Sequence, residues 1–150
     1  MSNFAKSCKS TVIPGLRYND AAAAIEWLCS AFGFQKHAVY TGPDNTIAHA
    51  ELSFGHGMIM LGSVDHSASP KFPMAQPAEI NLRETQAPYL VIQDSAACDA
   101  IYASAKAAGA TIVDELTDKG YGGKGFSCRD LEGHLWHFGT YDPWEVPPQS

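Results

Sequence analysis

An internal repeat constrains this chain more than any other feature of its sequence. Two apolar stripes at helical spacing, one containing Ile25 and one containing Ile101, each end at a glycine eight residues later, Gly33 and Gly109. The two segments therefore superpose at an offset of 76 residues. A unit of this length that occurs twice, with one helix in each copy, predicts a duplicated module, since a solenoid needs at least three copies.

The same order of elements is predicted in both halves. In the first half, Asn19-Asp20 provides the N-cap of the helix, and strands are predicted at residues 11–18, 34–40, 46–54 and 58–61. In the second half, Asp94-Ser95 caps a helix that Gly109 closes, and strands are predicted at residues 89–93, 111–116, 124–129 and 134–141. The order βαβββ thus occurs twice, which predicts an α+β fold.

The domain organisation follows from this repeat. Two modules, at residues 10–62 and 87–142, are expected to form one domain that spans residues 1–150, with residues 63–86 as a linker. Each module buries one face of its sheet under its helix and leaves the other face uncovered. Two such sheets placed side by side predict an open, curved, barrel-like cleft, with a small-molecule site between the modules.

Composition and charge exclude several classes of protein. Hydrophobic residues make up 45% of the chain and charged residues 17%, which is incompatible with disorder. The formal charge of −6, with only ten Lys and Arg, disfavours nucleic acids and anionic membranes as partners. The first ten residues lack the apolar core of a signal peptide, and the four cysteines are scattered. We therefore expect a cytoplasmic protein with reduced thiols.

Three sequence strings resemble the vicinal oxygen chelate superfamily, which contains glyoxalase I, bleomycin-resistance proteins and extradiol dioxygenases. They are residues 18–34 from Tyr-Asn-Asp to Phe-Gly-Phe, residues 107–110 at the end of the second helix, and residues 130–136. The third string is similar to that family's D-P-x-G-N-x-W hairpin, with Leu131 and His134 in place of the usual Pro and Asn. The resemblance implies the glyoxalase/bleomycin-resistance fold.

The resemblance also implies four positions at which the metalloenzymes of this superfamily carry a ligand. These positions fall on Ile13, Glu51, Pro88 and His137, and the side chains of Ile and Pro cannot ligate a metal. Gln86 could add a weak third ligand to Glu51 and His137 if the register shifts. Because a catalytic metal site usually needs at least three protein ligands, we expect no metal cofactor.

Alternating polarity in residues 46–54 predicts that His49, Glu51 and Ser53 face the cleft. The apolar residues between them, Ala48, Ala50, Leu52 and Phe54, are then expected to face the helix. His49, Glu51 and His137 together would match the two-histidine, one-carboxylate set of non-haem iron sites. Residues two apart on a strand lie about 6–7 Å from each other, which is wide for one ion, so hydrogen bonding to a ligand is the preferred interpretation.

Two further features lie in residues 120–129. Gly120, Gly122 and Gly125 match G-x-G-x-x-G, but a strand rather than a helix follows, so a dinucleotide site is not supported. Tyr121 in this flexible segment is expected to close over a ligand. Cys128 precedes Arg129, whose positive charge could lower the pKa of the thiol.

These observations predict a metal-independent, bleomycin-resistance-like protein that binds an aromatic or cationic small molecule. The predicted ligand-binding residues are His49, Glu51, Ser53, Tyr121 and His137. The alternative is a metal-dependent enzyme, either a glyoxalase I-type lactoylglutathione lyase or a related dioxygenase, with Zn, Ni or Fe bound by Glu51 and His137. We expect a homodimer, because pairing would cover exposed sheet edges and cleft rims.

Overall fold

The structure, a computed structural model, describes residues 7–120 and 123–149. The chain divides into two compact units, Met1–Gln76 and Pro77–Ser150. Each unit contains one long α-helix and one four-stranded mixed sheet. The α+β class and the βαβββ order predicted for each half are therefore confirmed.

In the first unit, the sheet has the strand order β1-β4-β3-β2. Strands β1 and β4 pair in parallel, and the other two pairings are antiparallel. The elements are β1 (Gly15–Tyr18), α1 (Ala21–Phe32), β2 (Gln35–Thr41), β3 (Ile47–Phe54) and β4 (Gly57–Ser63). A short 3-10 turn, Pro43–Asn45, connects β2 to β3.

The second unit repeats this topology, with the strand order β5-β8-β7-β6 and one parallel pair, β5 with β8. Its elements are β5 (Tyr89–Val91), α2 (Ser95–Ala107), β6 (Thr111–Asp118), β7 (Lys124–Arg129) and β8 (Leu135–Gly139). Short 3-10 turns lie at Pro77–Ile80 and Pro143–Glu145.

Both helices begin where the sequence predicts. The carboxylates of Asp20 and Asp94 each accept a hydrogen bond from a first-turn backbone amide. Helix α1 ends at Gly33, whose φ of 86° is left-handed, whereas α2 is one residue longer and has Ala108 as its C-cap. The predicted closing residue Gly109 follows that cap with a φ of 91°. Neither helix, within the described residues, is long and apolar enough to cross a membrane.

Strand β1 is shorter than predicted and starts at Gly15 rather than at residue 11. Pro14 has no N–H group to donate to the ladder, although its carbonyl accepts a hydrogen bond of 2.9 Å from the Met60 amide. Ile13, one of the four positions implied by the resemblance, therefore precedes the strand.

One face of each sheet is buried beside its helix. In the first unit the residues of this buried face include Ala50, Leu52, Ile59 and Leu61, each at most 4% exposed. In the second unit they are Phe126, Cys128, Trp136 and Phe138, each at most 1% exposed. Tyr102 of α2 packs edge-on against Phe126 with a centroid distance of 5.0 Å, which identifies this as the helix-facing side. The alternate strand positions form what we call the helix-free face of each sheet.

The prediction for Ala48 is wrong. It shares the alternation of Ala50 and Leu52 in the sequence, but it is exposed. Between β2 and β3, Tyr40 pairs with His49 and Thr41 pairs with Ile47, so Ala48 has no opposite residue. This bulge breaks the alternation at the start of β3.

Candidate functional site

Strand β3 places three predicted ligand-binding side chains on the helix-free face of the first unit. His49, Glu51 and Ser53 alternate with the buried residues Ala50 and Leu52, and all three are partly exposed. The alternation of β3 places these polar side chains away from α1. Ser53 pairs with Gln35 of β2 and with Met58 of β4.

His49 and Glu51 contact each other directly. The Nε2 atom of His49 lies 2.9 Å from Oε2 of Glu51, and 28% of the Glu51 side chain is exposed. Although the two residues are separated by one position on the strand, their side chains converge. The backbone spacing, which in the sequence argued against one shared ion, therefore does not keep the two functional groups apart.

His37, to which the sequence assigned no role, lies beside the same carboxylate. Its Nε2 atom is 4.0 Å from Oε1 of Glu51. On β2, Lys36 pairs with Leu52 and Ala38 pairs with Glu51, so His37 is the unpaired residue of a bulge. A bulge redirects a side chain, and no residue type in this segment signals one.

Tyr40 is the second residue that sequence reasoning missed. It pairs with His49 across β2 and β3, and the two rings are nearly parallel, with an angle of 25° and a centroid distance of 6.1 Å. Tyr40 is 59% exposed. His37, Tyr40, His49 and Glu51, called the β2–β3 cluster below, thus combine two imidazoles, an exposed phenol ring and a half-buried carboxylate.

At the opposite edge of the first sheet, the side chain of Arg17 on β1 passes close to Gly62 on β4. The Arg17 Nη1 atom donates a hydrogen bond of 3.3 Å to the Ser63 carbonyl. A Cβ atom on Gly62 would lie 2.5 Å from that guanidinium nitrogen. Any larger residue at position 62 would therefore displace Arg17.

In the second unit, the predicted residue His137 lies on the helix-free face of β8. It pairs with Tyr89 of β5 and with Ser127 of β7. The Ser127 Oγ atom is 2.7 Å from His137 Nδ1, and Ser127 is only 8% exposed. The sequence did not single out Ser127, because a serine between buried residues has no distinguishing pattern.

Strand register shows which residues are counterparts in the repeat. Met60 pairs with Gly15 and Glu51 in the first unit, just as His137 pairs with Tyr89 and Ser127 in the second. Met60 is therefore the counterpart of His137. The resemblance places a ligand position of the first module on Glu51. Glu51 lies on β3, one strand away from Met60 on β4, and its counterpart in the second unit is Ser127.

The remaining candidates contribute less. Tyr121 lies outside the described residues. Gln86 is exposed, and Pro88 contributes a backbone carbonyl that accepts a hydrogen bond of 3.0 Å from the His137 amide.

The expectation for Cys128 is wrong: burial, with a smaller contribution from the Asp130 charge, raises the pKa of its thiol to about 12. Cys128 is not a reactive nucleophile at neutral pH.

The chain belongs to the Glyoxalase/Bleomycin resistance protein/Dioxygenase superfamily, whose family model matches residues 10–138. This confirms the resemblance found in the sequence. An uncharacterized protein of Mycobacterium bovis is 30% identical over 132 residues, which cover 84% of this chain and 80% of that protein.

Solved structures with the same fold include TioX from Micromonospora sp. ML1. It is 30% identical, has a TM-score of 0.67, and the match covers 87% of this chain and 97% of TioX. The fosfomycin resistance protein FosX from Listeria monocytogenes, solved with Mn(II) and sulfate, is 14% identical with a TM-score of 0.63. That match covers 91% of this chain and 95% of FosX, and at this identity it supports the fold alone.

The side chains of the described residues do not provide a donor set that fits a divalent metal. Among the residues that the structure describes, no three His, Cys, Asp or Glu side chains are grouped so that they could hold an ion. Ile13 and Pro88 have no donor atoms in their side chains, and the counterpart of His137 is the thioether of Met60, a poor ligand for hard divalent ions.

Proposed function

We propose that this chain is a metal-independent binding protein for a small molecule that is both aromatic and cationic, and that the β2–β3 cluster forms its recognition site. The observation that carries the proposal is the contact of one half-buried carboxylate, Glu51, with His49, whose ring is stacked on exposed Tyr40. Membership of a superfamily that includes bleomycin-resistance proteins supports the same class of function.

Glu51 provides the charge for a cationic group. Its Oε2 atom bonds His49, whereas His37 is 4.0 Å from Oε1, beyond hydrogen-bond distance. Oε1 can therefore accept a hydrogen bond from a ligand or form an ion pair with its cationic group. A partly buried carboxylate is screened by water less than a surface one, which strengthens this attraction. The net charge of −6 adds a long-range attraction for cations.

Tyr40 and His49 provide the aromatic surface. Their rings lie nearly parallel on adjacent strands, and the phenol of Tyr40 is largely exposed. A planar ligand can stack on such a surface, and a cationic ring gains about 0.5–1 kcal/mol from the electron-rich face of an exposed tyrosine. Charge and stacking together favour a planar aromatic cation over a neutral aromatic or an aliphatic amine.

A thermal-shift experiment tests this function with the full chain. Bleomycin and N-methylacridinium are the probes, because both carry planar aromatic and cationic groups. A ligand that binds only the folded state at about 100 times its Kd stabilises that state by about 2.7 kcal/mol, which raises the Tm by several degrees. The proposal predicts such an increase for at least one probe.

Matched variants locate the site. Glu51→Gln and Tyr40→Leu should each reduce the Tm increase caused by the probe. Glu145→Gln removes the same charge from the second unit, where Glu145 is exposed, and should leave the increase unchanged. The proposal is wrong if neither probe raises the Tm, or if Glu51→Gln and Glu145→Gln reduce the increase equally.

A further inference from the structure

The second unit contains a serine–histidine pair that the proposed function does not use. Ser127 and His137 are directly opposite each other on β7 and β8, and Ser127 Oγ is 2.7 Å from His137 Nδ1. Ser127 is 8% exposed, whereas His137 is more accessible. The inner member of the pair is therefore the hydroxyl group, and the outer member is the imidazole.

The burial of Ser127 decides the direction of this hydrogen bond. A buried hydroxyl needs an acceptor for its hydrogen, because water is not available to accept it. Within the described part of the chain, the side-chain partner of Ser127 Oγ is His137 Nδ1. If the hydroxyl donates to Nδ1, that nitrogen holds a lone pair, and the proton of the neutral imidazole is on Nε2.

We infer that Ser127 is a positioning residue that holds His137 as the neutral Nε2–H tautomer, so that the second unit presents a fixed N–H donor for the acceptor oxygen of a ligand. The strand pairing fixes the backbone of both residues, and the hydrogen bond to Nδ1 fixes the rotation of the ring. An Nε2–H group donates to oxygen and does not ligate a metal, which agrees with the poor metal donor set among the residues that the structure describes.

Arg129 indicates that the preferred ligand oxygen is anionic. It lies two residues after Ser127 on β7, and therefore on the same face of the sheet. Its Nη1 atom donates a hydrogen bond of 2.8 Å to the Gly133 carbonyl, which occupies one of the five guanidinium N–H groups. Arg129 pairs with Leu135, two positions before His137 on β8, and its positive charge on this face favours a carboxylate over a neutral carbonyl group.

This inference does not depend on the function proposed for the first unit. Ser127, Arg129 and His137 all belong to the second unit, whereas the β2–β3 cluster belongs to the first. A failure of aromatic cations to bind would leave the tautomer of His137 unaffected. A different tautomer of His137 would likewise leave the binding of aromatic cations unaffected.

The tautomer can be observed directly by NMR of the imidazole nitrogens in the uniformly ¹⁵N-labelled full chain at neutral pH. The spectrum of His137→Gln identifies the His137 signals by their loss. We expect the Nε2–H pattern in the wild-type chain, a mixture of tautomers in Ser127→Ala, and the Nε2–H pattern again in Ser127→Thr, which retains a hydroxyl group. The Nδ1–H tautomer or an imidazolium in the wild-type chain would overturn the inference, as would an unchanged pattern in a folded Ser127→Ala.

Acetate serves as the probe for the ligand oxygen. Titration with sodium acetate should shift the His137 Nε2–H signal to saturation, and sodium chloride at the same ionic strength should not. Arg129→Gln should weaken the acetate response severalfold without changing the tautomer. A His137 signal that responds to both salts alike would contradict an anionic acceptor at this position and limit Ser127 to a structural role.

Discussion

The indole Nε1–H of Trp136 donates a hydrogen bond of 3.0 Å to Oδ2 of Asp130 in the interior of the second unit. The other oxygen of this carboxylate, Oδ1, accepts hydrogen bonds of 2.9 Å and 3.0 Å from the backbone amides of Glu132 and His134. Asp130 is 6% exposed, and Gly133 completes the turn with a φ of 91°. One carboxylate therefore joins both ends of the hairpin that carried the family resemblance.

We predict that Asp130→Asn destabilises the chain by about 1–3 kcal/mol, because an amide group facing the indole leaves one buried donor unsatisfied. Asp130→Ala should cost more, since it removes the acceptor for the turn amides as well. Urea unfolding measures both effects. Glu132→Gln is the control, and a loss as small as that of the control would show that the carboxylate is not a structural link.

Substitution of two neighbouring residues on β3 should affect the stability of the fold to very different extents. Leu52 is 0% exposed, so Leu52→Ala should reduce the free energy of unfolding by about 2–5 kcal/mol through lost contacts and a cavity. Glu51→Gln keeps the shape of a partly exposed side chain and should leave the fold intact, as should His137→Ala on β8. Circular dichroism and urea unfolding test this contrast, and an unfolded Glu51→Gln would mean that Glu51 is structural rather than ligand-binding.

Cys128 should make stability depend on pH under alkaline conditions. Its thiol has a pKa of about 12 in the folded chain, against an ordinary value of 9.0 for a cysteine thiol, because burial disfavours the thiolate. Above the lower value the unfolded chain releases this proton while the folded chain retains it, so stability falls as pH rises from about 9 towards 12. Between about pH 8 and pH 10 this group should lower the free energy of unfolding by about 1 kcal/mol.

The comparison of Cys128→Ala with the wild-type chain isolates this group. Other residues also titrate in this range, so the measured quantity is the difference between the two chains in their loss of stability from about pH 8 to pH 10. The variant should lose less than the wild-type chain. Cys8→Ala, at an exposed cysteine, is the matched control, and equal losses in all three chains would contradict the effect of burial.

Metal content provides a further prediction. Because no three suitable side chains are grouped in the described residues, we expect less than one divalent ion per chain after purification without chelators or a metal-affinity tag. Added Zn²⁺, Ni²⁺ or Co²⁺ should not produce lactoylglutathione lyase activity, since that chemistry needs an ion in a fixed, partly open coordination sphere. If elemental analysis finds one ion per chain, the metalloenzyme alternative is favoured over the metal-independent binding protein.

Much of the fold follows from local signals in the sequence. Asp20 and Asp94 mark the helix starts, Gly33 and Gly109 lie at the helix ends, and alternation over residues 49–53 of β3 identifies Ala50 and Leu52 as buried. These signals depend on residues close together in the chain, which is why they could be recognised without a structure.

The parts of the site that the sequence did not reveal depend on pairing between strands. His37 lies beside Glu51 only because a bulge on β2 inserts one residue, and Tyr40 stacks on His49 only because those two residues are opposite each other. The register between β3 and β4 likewise makes Met60 the counterpart of His137. Register is set by the packing of whole strands, so no short sequence pattern specifies it.

The most direct test of the central claim compares N-methylacridinium with acridine by isothermal titration calorimetry, at a pH where acridine is neutral. The two molecules have nearly the same aromatic surface, so their difference in affinity measures the contribution of charge. An ion pair with Glu51 and a cation–π contact with Tyr40 should each contribute about 0.5–1 kcal/mol, so the wild-type chain should prefer the cation about tenfold. In Glu51→Gln the preference should fall to about threefold, because the cation–π contact with Tyr40 remains, and in Glu145→Gln it should stay about tenfold. Equal affinity of the wild-type chain for both molecules, or an undiminished preference in Glu51→Gln, would contradict a recognition site for aromatic cations at the β2–β3 cluster.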